Sequence, residues 1–204
     1  MSNNTQFQKQ LTALGFTFDD QFYQRCEKFK SLLKEWGRVH NLTSPASLND
    51  FDIEANIIDS IYPLLFVDNF DSFADVGTGA GYPGLLLAIA RPEIKATLIE
   101  PRAKRAAFLN YVKNILGLKH LSVIQKRVEQ VEGATFSLIT SRAVTNTELL
   151  LDLSKNISTN HTSYLFYKGS VCADEVKDLE DQYSNYTIKS VGEHRNYLYI
   201  KGNE

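Results

Sequence analysis

The chain has 204 residues, of which 43% are hydrophobic and 23% charged, and its formal net charge is −2. These values are typical of a globular protein and exclude a chain that is disordered over most of its length. The longest apolar run, residues 85–90, is far shorter than the roughly 20 residues of a membrane-spanning helix. The first residues lack a signal-peptide pattern, and Cys26 and Cys172 stand apart, so we expect a cytoplasmic, monomeric protein without disulfides.

The first seventy residues predict helices. Asp19 and Asp20 can cap a helix whose apolar positions recur at steps of three and four. These positions are Phe22, Cys26, Phe29, Leu32, Leu33, Trp36 and Val39. A second stripe of the same kind follows, formed by Ile53, Ile57, Ile61 and Leu64. Residues 1–70 are therefore expected to form a small helical cap on the rest of the chain.

From residue 72 onwards, short strand-like runs alternate with helical ones, and residues 71–204 are expected to form one compact α/β domain. A helix is predicted at 103–116, ending at Gly117. The alternation predicts a sheet that is parallel until its last two strands, which leave no room for a helix and should pair as a hairpin around Gly192 and Glu193. The strands are predicted at 72–76, 96–99, 121–124, 136–140, 163–167, 186–191 and 197–200.

The most informative segment is a glycine-rich turn between the first strand and the next helix. It follows Asp75 and contains Gly77, Gly79 and Gly81, and such glycines let the backbone approach a ligand closely. The dinucleotide pattern G-x-G-x-x-G fails, because its sixth position is Tyr82. The turn resembles motif I of class I methyltransferases, which wraps the methionine and ribose of S-adenosylmethionine (SAM).

Two further sites fit such a cofactor. Glu100 ends the second strand about twenty residues after the turn, where a carboxylate can accept hydrogen bonds from the ribose hydroxyls of an adenosine. Val128 and Glu129 follow the third strand, where such folds place the adenine. An exposed charge at a strand end and a helix cap are the simpler interpretations of Glu100 and Glu129.

The fourth strand indicates what kind of atom is methylated. Residues 139–143, ITSRA, lack the Asn/Asp-Pro-Pro-aromatic loop of amino-methylating enzymes, and neither cysteine lies where a C5 methylase needs its nucleophile. An acceptor that is already nucleophilic, such as guanine N7, remains, and there the enzyme contributes alignment. Arg142 and Lys168 could then bind a phosphate or guanine O6.

Positive charge is concentrated in residues 91–127, which carry nine Lys and Arg against two Glu. Such a local field attracts polyanions, although a solvated helix face has the same composition. Arg102, Lys104 and Arg105 are the candidate RNA-binding residues of this segment.

Taken together, the motifs resemble the RsmG (GidB) family. The resemblance rests on the run 77–84, residues 85–92, Lys104 and Arg105 with residues 108–109, the triplet 127–129, residues 141–143 and residues 168–169. Trp36, residues 41–43 and residues 59–60 match the family's N-terminal helical region.

The resemblance implies a class I SAM-dependent methyltransferase with a Rossmann-like α/β sheet. Members methylate N7 of a guanine in bacterial 16S ribosomal RNA, at position 527 in the 530 loop. It implies that SAM contacts Gly77, Tyr82, Val128, Glu129 and Arg142, with Glu100 on the ribose, and that Lys104, Arg105 and Lys168 lie near the RNA. Family members usually have a histidine where this chain has Asn56.

Two other functions stay open at the level of sequence. One is a non-catalytic module that binds RNA or the ribosome and keeps a vestigial SAM pocket. The other is an NAD-dependent oxidoreductase, which the failed dinucleotide pattern disfavours. No metal is expected, because His40, His120, His161 and His194 lack the spacing of metal ligands.

Overall fold

A computed structural model describes residues 5–40, 42–169, 172, 175, 185–192 and 195–203. Six α-helices lie within these ranges: α1 (Gln6–Ala13), α2 (Asp20–His40), α3 (Asp50–Ile61), α4 (Gly84–Ala90), α5 (Ala103–Leu116) and α6 (Thr147–Leu153). The strands are β1 (Ser72–Val76), β2 (Lys95–Ile99), β3 (Leu121–Ile124), β4 (Leu138–Arg142), β5 (Ser163–Lys168), β6 (Tyr186–Val191) and β7 (Arg195–Ile200). Within the described part of the chain, no helix combines the length and the apolar character that crossing a membrane requires.

The seven strands form one sheet in the order β3-β2-β1-β4-β5-β7-β6. The first five are parallel, whereas β7 pairs antiparallel with β5 and with β6. The predicted α/β class and the change to antiparallel strands at the end are confirmed. Chain order reverses at β1, which has β2 on one side and β4 on the other, and ligands of such sheets bind at the carboxyl ends of the strands beside that point.

Local signals explain most of the element boundaries. The Asp19 carboxylate accepts the backbone N–H of Phe22 (2.8 Å) at the start of α2, as its position predicts. Helix α5 ends at Gly117, whose left-handed backbone (φ +66°) is favourable for glycine. Strand β4 lies two residues later than predicted, because the Phe136 N–H donates to the carbonyl of Ile157 instead of joining the ladder. In the predicted hairpin turn, Gly192 has a positive φ and Glu193 lies outside the described residues.

The two faces of the sheet bury separate sets of apolar side chains, which alternate along each strand. On one face, Phe73 and Leu98 belong to a cluster that also includes Phe29 of α2 and Ile57 of α3. Helices α2 and α3 pack on α4, and α2 also packs on α5. The helical cap proposed for residues 1–70 thus shares its apolar core with the sheet.

Helix α4 begins unusually close to β1, and Gly84 is the reason. A Cβ atom at Gly84 would lie 2.4 Å from the Cβ of Asp75 and 2.5 Å from a methyl group of Leu98. The Gly84 N–H donates instead to Oδ2 of Asp75 at 2.9 Å. The absence of a side chain therefore lets the helix start directly against the strand.

Substituting Gly84→Ala should destabilise the fold by about 3 kcal/mol, because both atoms that the new methyl group meets are held in the core. Urea unfolding measures the effect. Gly169→Ala is the matched control: nothing lies within 4 Å of a Cβ there, and we expect a change within about 0.5 kcal/mol. Equal stability of the two variants would contradict the close contact at Gly84.

Candidate functional site

The glycine turn arches over the carboxyl end of β1. Gly77, Gly79 and Gly81 have φ values of +70°, +59° and +105°, a region that side-chain-bearing residues rarely adopt. The Gly77 N–H donates to the carbonyl of Ile99 at 2.8 Å, which ties the turn to the end of β2. Gly81 faces the protein interior, where a Cβ would lie 2.9 Å from a methyl group of Leu85. The absence of a side chain at Gly81 therefore lets the turn pack closely against α4.

Glu100 follows β2 and points at the turn, as the sequence predicts. One of its carboxylate oxygens accepts the N–H of Gly79, and the other accepts the N–H of Arg102, both at 2.9 Å. The residue is 2% exposed, so its carboxylate is held in one orientation. Since a carboxylate has about four acceptor positions, these two bonds within the described ranges leave room for further donors.

Two cavities meet at Gly77. The larger, of about 340 Å³, extends toward the helical cap and is lined by polar groups that include Asn56, Arg105 and Arg142. The smaller, of about 130 Å³, is lined mainly by apolar side chains together with Val128 and Glu129.

The Val144 side chain lies against Gly77, the residue that both cavities share. A Cβ at Gly77 would lie 2.5 Å from a methyl group of Val144, which therefore rests directly on this glycine. Val144 is 45% exposed, so it has room to turn outward. It follows Ala143, whose φ of +55° makes it the non-glycine residue with positive φ in the described ranges.

Arg142 ends β4 in the larger cavity. Its guanidinium lies over the ring of Tyr82, 4.9 Å from the ring centroid. Its Nη1 donates to Oδ1 of Asn56 at 2.8 Å and to Oδ2 of Asp59 at 3.0 Å. Both acceptors lie three residues apart on α3, so they share one face of that helix.

Tyr82 is packed from two sides. Besides Arg142, its ring meets Phe29 of α2 edge to face, with centroids 5.7 Å apart. The residue is 8% exposed, and burial raises the pKa of its phenol well above the usual value. Its hydroxyl is buried and has no hydrogen-bond partner among the described residues.

Lys168 is buried, and its ammonium group is already paired within the protein. It is 8% exposed, and its Nζ donates to Oε2 of Glu175 at 2.7 Å and to the carbonyl of Thr145 at 3.1 Å. The same carboxylate oxygen accepts the N–H and the hydroxyl of Thr147. The pair therefore anchors residues 145–147, the loop that follows Arg142 and Val144.

The basic segment is divided by the fold. Residues that follow the parallel strands β2 and β3 lie at the carboxyl edge of the sheet, where the turn is; these are Arg102, Lys104, Arg105, Lys126 and Arg127. Lys95 begins β2, Lys113 lies in the last turn of α5 and Lys119 lies between α5 and β3, all at the opposite edge. Arg102, Lys104 and Arg105 form no ion pair within the described ranges.

Asp75 lies behind the site and is fully buried. Thr140 donates its hydroxyl to Oδ1 at 2.8 Å, and Gly84 donates its N–H to Oδ2. Burial raises the pKa of Asp75 to about 6, although these hydrogen bonds act in the opposite direction. Asp75 thus binds the first N–H of α4 and is not among the residues that line the two cavities.

The structure brings together most of the predicted cofactor residues. Gly77, Tyr82 and Arg142 line the larger cavity, Val128 and Glu129 line the smaller one, and Glu100 faces the turn through Gly79. Asp59 and Val144 have positions in the site that the sequence does not reveal. The i, i+3 spacing of Asn56 and Asp59 on a predicted helix is the signal that could have paired them.

The chain matches the family model described as rRNA small subunit methyltransferase G (GidB) over residues 22–197. It is 54% identical to the ribosomal RNA small subunit methyltransferase G of Aliarcobacter butzleri, over 96% of this chain and 98% of that protein. It is 47% identical to the protein of the same name from Wolinella succinogenes, over 95% and 96% of the two chains.

Solved structures with low sequence identity share the fold. TYW2 from P. horikoshii in complex with MeSAdo superposes with a TM-score of 0.57 at 14% identity, covering 78% of this chain and 63% of that one. The ribosomal protein L11 methylase of Lactobacillus delbrueckii subsp. bulgaricus gives 0.54 at 14% identity, covering 76% and 80%. The sheet is therefore that of class I methyltransferases.

The buried carboxyl of Asp75 predicts a pH effect on stability. Well below pH 3.8, the group is protonated in both the folded and the unfolded chain, and the stability that its neutral folded form contributes is fully present. That contribution is lost as the pH rises toward and through about 6, because the folded chain must then ionise a buried group. The rise from the ordinary value of 3.8 to about 6 corresponds to about 3 kcal/mol.

Asp75→Asn removes this ionisation and can keep the hydrogen bonds, because the Thr140 hydroxyl can turn to accept from the new amide. We expect the difference in free energy of unfolding between the two proteins to shift by about 2.5 kcal/mol from pH 4 to pH 7.5, with the wild type becoming the less stable relative to its value at pH 4. Asp152→Asn changes an exposed carboxylate and should give a nearly constant difference. A constant difference for Asp75→Asn as well would rule out the raised pKa.

Proposed function

This chain belongs to the rRNA small subunit methyltransferase G (GidB) family, and we propose that it methylates N7 of a guanine in the 530 loop of 16S ribosomal RNA, with SAM as the methyl donor. The observation that carries the proposal is the junction at Gly77, where an apolar cavity and a polar cavity meet beside the carboxylate of Glu100. The relatives are named as rRNA methyltransferases, so the oxidoreductase and the non-catalytic module receive no support from them.

The residues at this junction fit SAM. The smaller, apolar cavity beside Val128 and Glu129 suits the adenine, and the Glu100 carboxylate suits the ribose hydroxyls. The methionine part would lie over Gly77 in the larger cavity, whose lining includes Tyr82 and Arg142. Val144 turns away from Gly77 to let one molecule span both cavities. When bound, SAM supplies the methyl group on its positively charged sulfur.

The chain's own residues align the acceptor. Guanine N7 carries an in-plane lone pair, so no base is needed and the contribution of the enzyme is proximity and orientation. Nη1 of Arg142 is occupied by Asn56 and Asp59, and the other guanidinium nitrogens are left to donate to guanine O6 beside N7 or to a phosphate. Arg142 is thus the residue that connects the cofactor site with the RNA.

The carboxyl-edge half of the basic segment is the proposed RNA surface, with Arg102, Lys104 and Arg105 in contact with phosphates. Arg105 also lines the larger cavity, so this surface is continuous with the site. Lys168 contacts RNA in this proposal only by exchanging Glu175 for a phosphate, because its Nζ is already paired. RNA would thereby release the loop that Lys168 anchors.

The direct test uses small ribosomal subunits from a strain that lacks the modification, together with methyl-labelled SAM. Label on N7 of one guanine in the 530 loop is the expected result. Arg142→Ala should lower kcat about 100-fold through lost alignment. Arg91→Ala is the control: this arginine also stacks on an aromatic ring, Phe70, but follows α4 at the opposite edge of the sheet, and activity should be unchanged.

Label at another position would retain the methyltransferase and refute the guanine assignment. Bound SAM without any transfer to the subunit would refute the proposed substrate.

Salt dependence tests the RNA surface. Log affinity for the RNA should fall linearly with log salt, and Lys104→Ala should reduce that slope by about 0.7–0.9, the contribution of one phosphate contact. Lys95→Ala removes the same charge from the same basic segment at the opposite edge, and its slope should equal that of the wild type. Equal slopes for both variants would remove Lys104 from the interface.

A further inference from the structure

Strand β7 ties the sheet to the helical cap through two acidic residues. Side chains at every second position of a strand share a face, and Tyr197 and Tyr199 do so here. Tyr199 donates its hydroxyl to Oδ2 of Asp68 at 3.2 Å, and Lys201 pairs with the same oxygen at 2.8 Å. Tyr197 forms the corresponding bond with Asp59.

We call the contacts of Asp68 with Tyr199 and Lys201 the Asp68 anchor. The contacts of Asp59, the Asp59 anchor, are of the same kind. Oδ1 of Asp59 accepts the Tyr197 hydroxyl at 2.8 Å and the Nε of Arg195 at 2.7 Å. Each carboxylate thus binds one tyrosine and one cation of the C-terminal segment. The Asp59 side chain is 14% exposed and that of Asp68 is 59%, so solvent screens the Asp59 anchor much less than the Asp68 anchor.

Only the Asp59 anchor reaches the site. Its second oxygen, Oδ2, accepts Nη1 of Arg142 at 3.0 Å, so one carboxylate lies between two guanidinium groups. Asn56 accepts from the same Nη1, and its own amide donates to the carbonyl of Asp52 at 2.8 Å, which fixes its orientation. With Nη1 held at two points, the guanidinium is fixed over the ring of Tyr82.

We infer that Asp59 is a positioning residue for Arg142, and that the C-terminal hairpin takes part in the reaction through it. Arg195 and Tyr197 hold Asp59, Asp59 holds Arg142, and Arg142 orients the guanine. The inference rests on the proposed function for the role of Arg142, whereas the order of the Arg142 side chain can be measured without any reaction.

The first experiment compares Asp59→Asn with Asp68→Asn. Asp59→Asn keeps the shape of the side chain and removes the charge that holds two guanidinium groups, so kcat should fall about tenfold while the Kd for SAM stays within twofold. Asp68→Asn breaks the parallel anchor far from the cavities and should leave kcat within twofold. A normal kcat in Asp59→Asn, or equal losses in both variants, would overturn the inference.

A double-mutant cycle separates positioning from any other effect of Asp59. If Asp59 acts through Arg142, then Asp59→Asn should lower activity no further in a protein that already carries Arg142→Ala. A tenfold loss in both backgrounds would show that Asp59 acts independently, which contradicts the inference.

Two smaller substitutions test the inference if Asp59→Asn does not fold. Tyr197→Phe removes one hydroxyl from Asp59 and keeps the packed ring, and kcat should fall about threefold. Tyr199→Phe makes the same change at Asp68 and should leave kcat unchanged. Indistinguishable kcat values for these two variants would overturn the role of the hairpin.

A spectroscopic measurement distinguishes failure of this inference from failure of the proposed function. The Nε–H signal of Arg142 in a ¹⁵N NMR spectrum should be sharp in the wild type and in Asp68→Asn, and broadened or lost in Asp59→Asn. An unchanged signal in Asp59→Asn would overturn the positioning role even if the enzyme methylates its guanine. A changed signal would support that role even if the acceptor proved to be a different atom.

Discussion

The close contact between β1 and the start of α4 determines the geometry of the glycine turn and of the site that the turn forms. Because Gly84 has no side chain, its N–H reaches Oδ2 of Asp75 at 2.9 Å, and the seven residues from Gly77 to Pro83 must arch over the end of the strand. Such an arch requires positive φ values, which its glycines supply. The arch in turn directs the N–H of Gly79 at Glu100. Two carboxylates thus flank one turn: Asp75 binds the N–H at the start of α4, and Glu100 binds an N–H of the turn itself.

The helical cap is a structural part of the site rather than an addition to it. Tyr82 lies between Phe29 of α2 and the guanidinium of Arg142, and Asn56 and Asp59 of α3 bind that guanidinium. A class I sheet without these helices would present an arginine at the end of β4 with no fixed orientation. In the proposed function, the cap therefore supplies the fixed orientation of Arg142 that alignment of one acceptor requires.

Local patterns predicted what depends on neighbours in sequence, and failed where the outcome depends on distant ones. The bounds of α5 and β3, the glycine turn and the position of Glu100 follow from periodicity and turn chemistry. Lys168 has the charge of a residue that binds RNA, but Glu175 forms an ion pair with it, and no local sequence pattern indicates that pair. The bonds from Arg142 to Asn56 and Asp59 span 86 and 83 residues. The division of the basic residues between the two edges of the sheet could have been predicted from the sequence, because strand direction alone assigns these residues to opposite edges.

Asn56 shows how a departure from a family pattern can preserve a role. The residue accepts one hydrogen bond, from Arg142, and donates one, to the carbonyl of Asp52. A neutral histidine, which the family resemblance of the sequence leads us to expect here, also offers one acceptor and one donor. Protonation near neutral pH turns both ring nitrogens into donors, and the charged ring then repels the guanidinium. An amide does not titrate in this range, so in this chain the acceptor for Arg142 persists at a pH where a histidine would lose it.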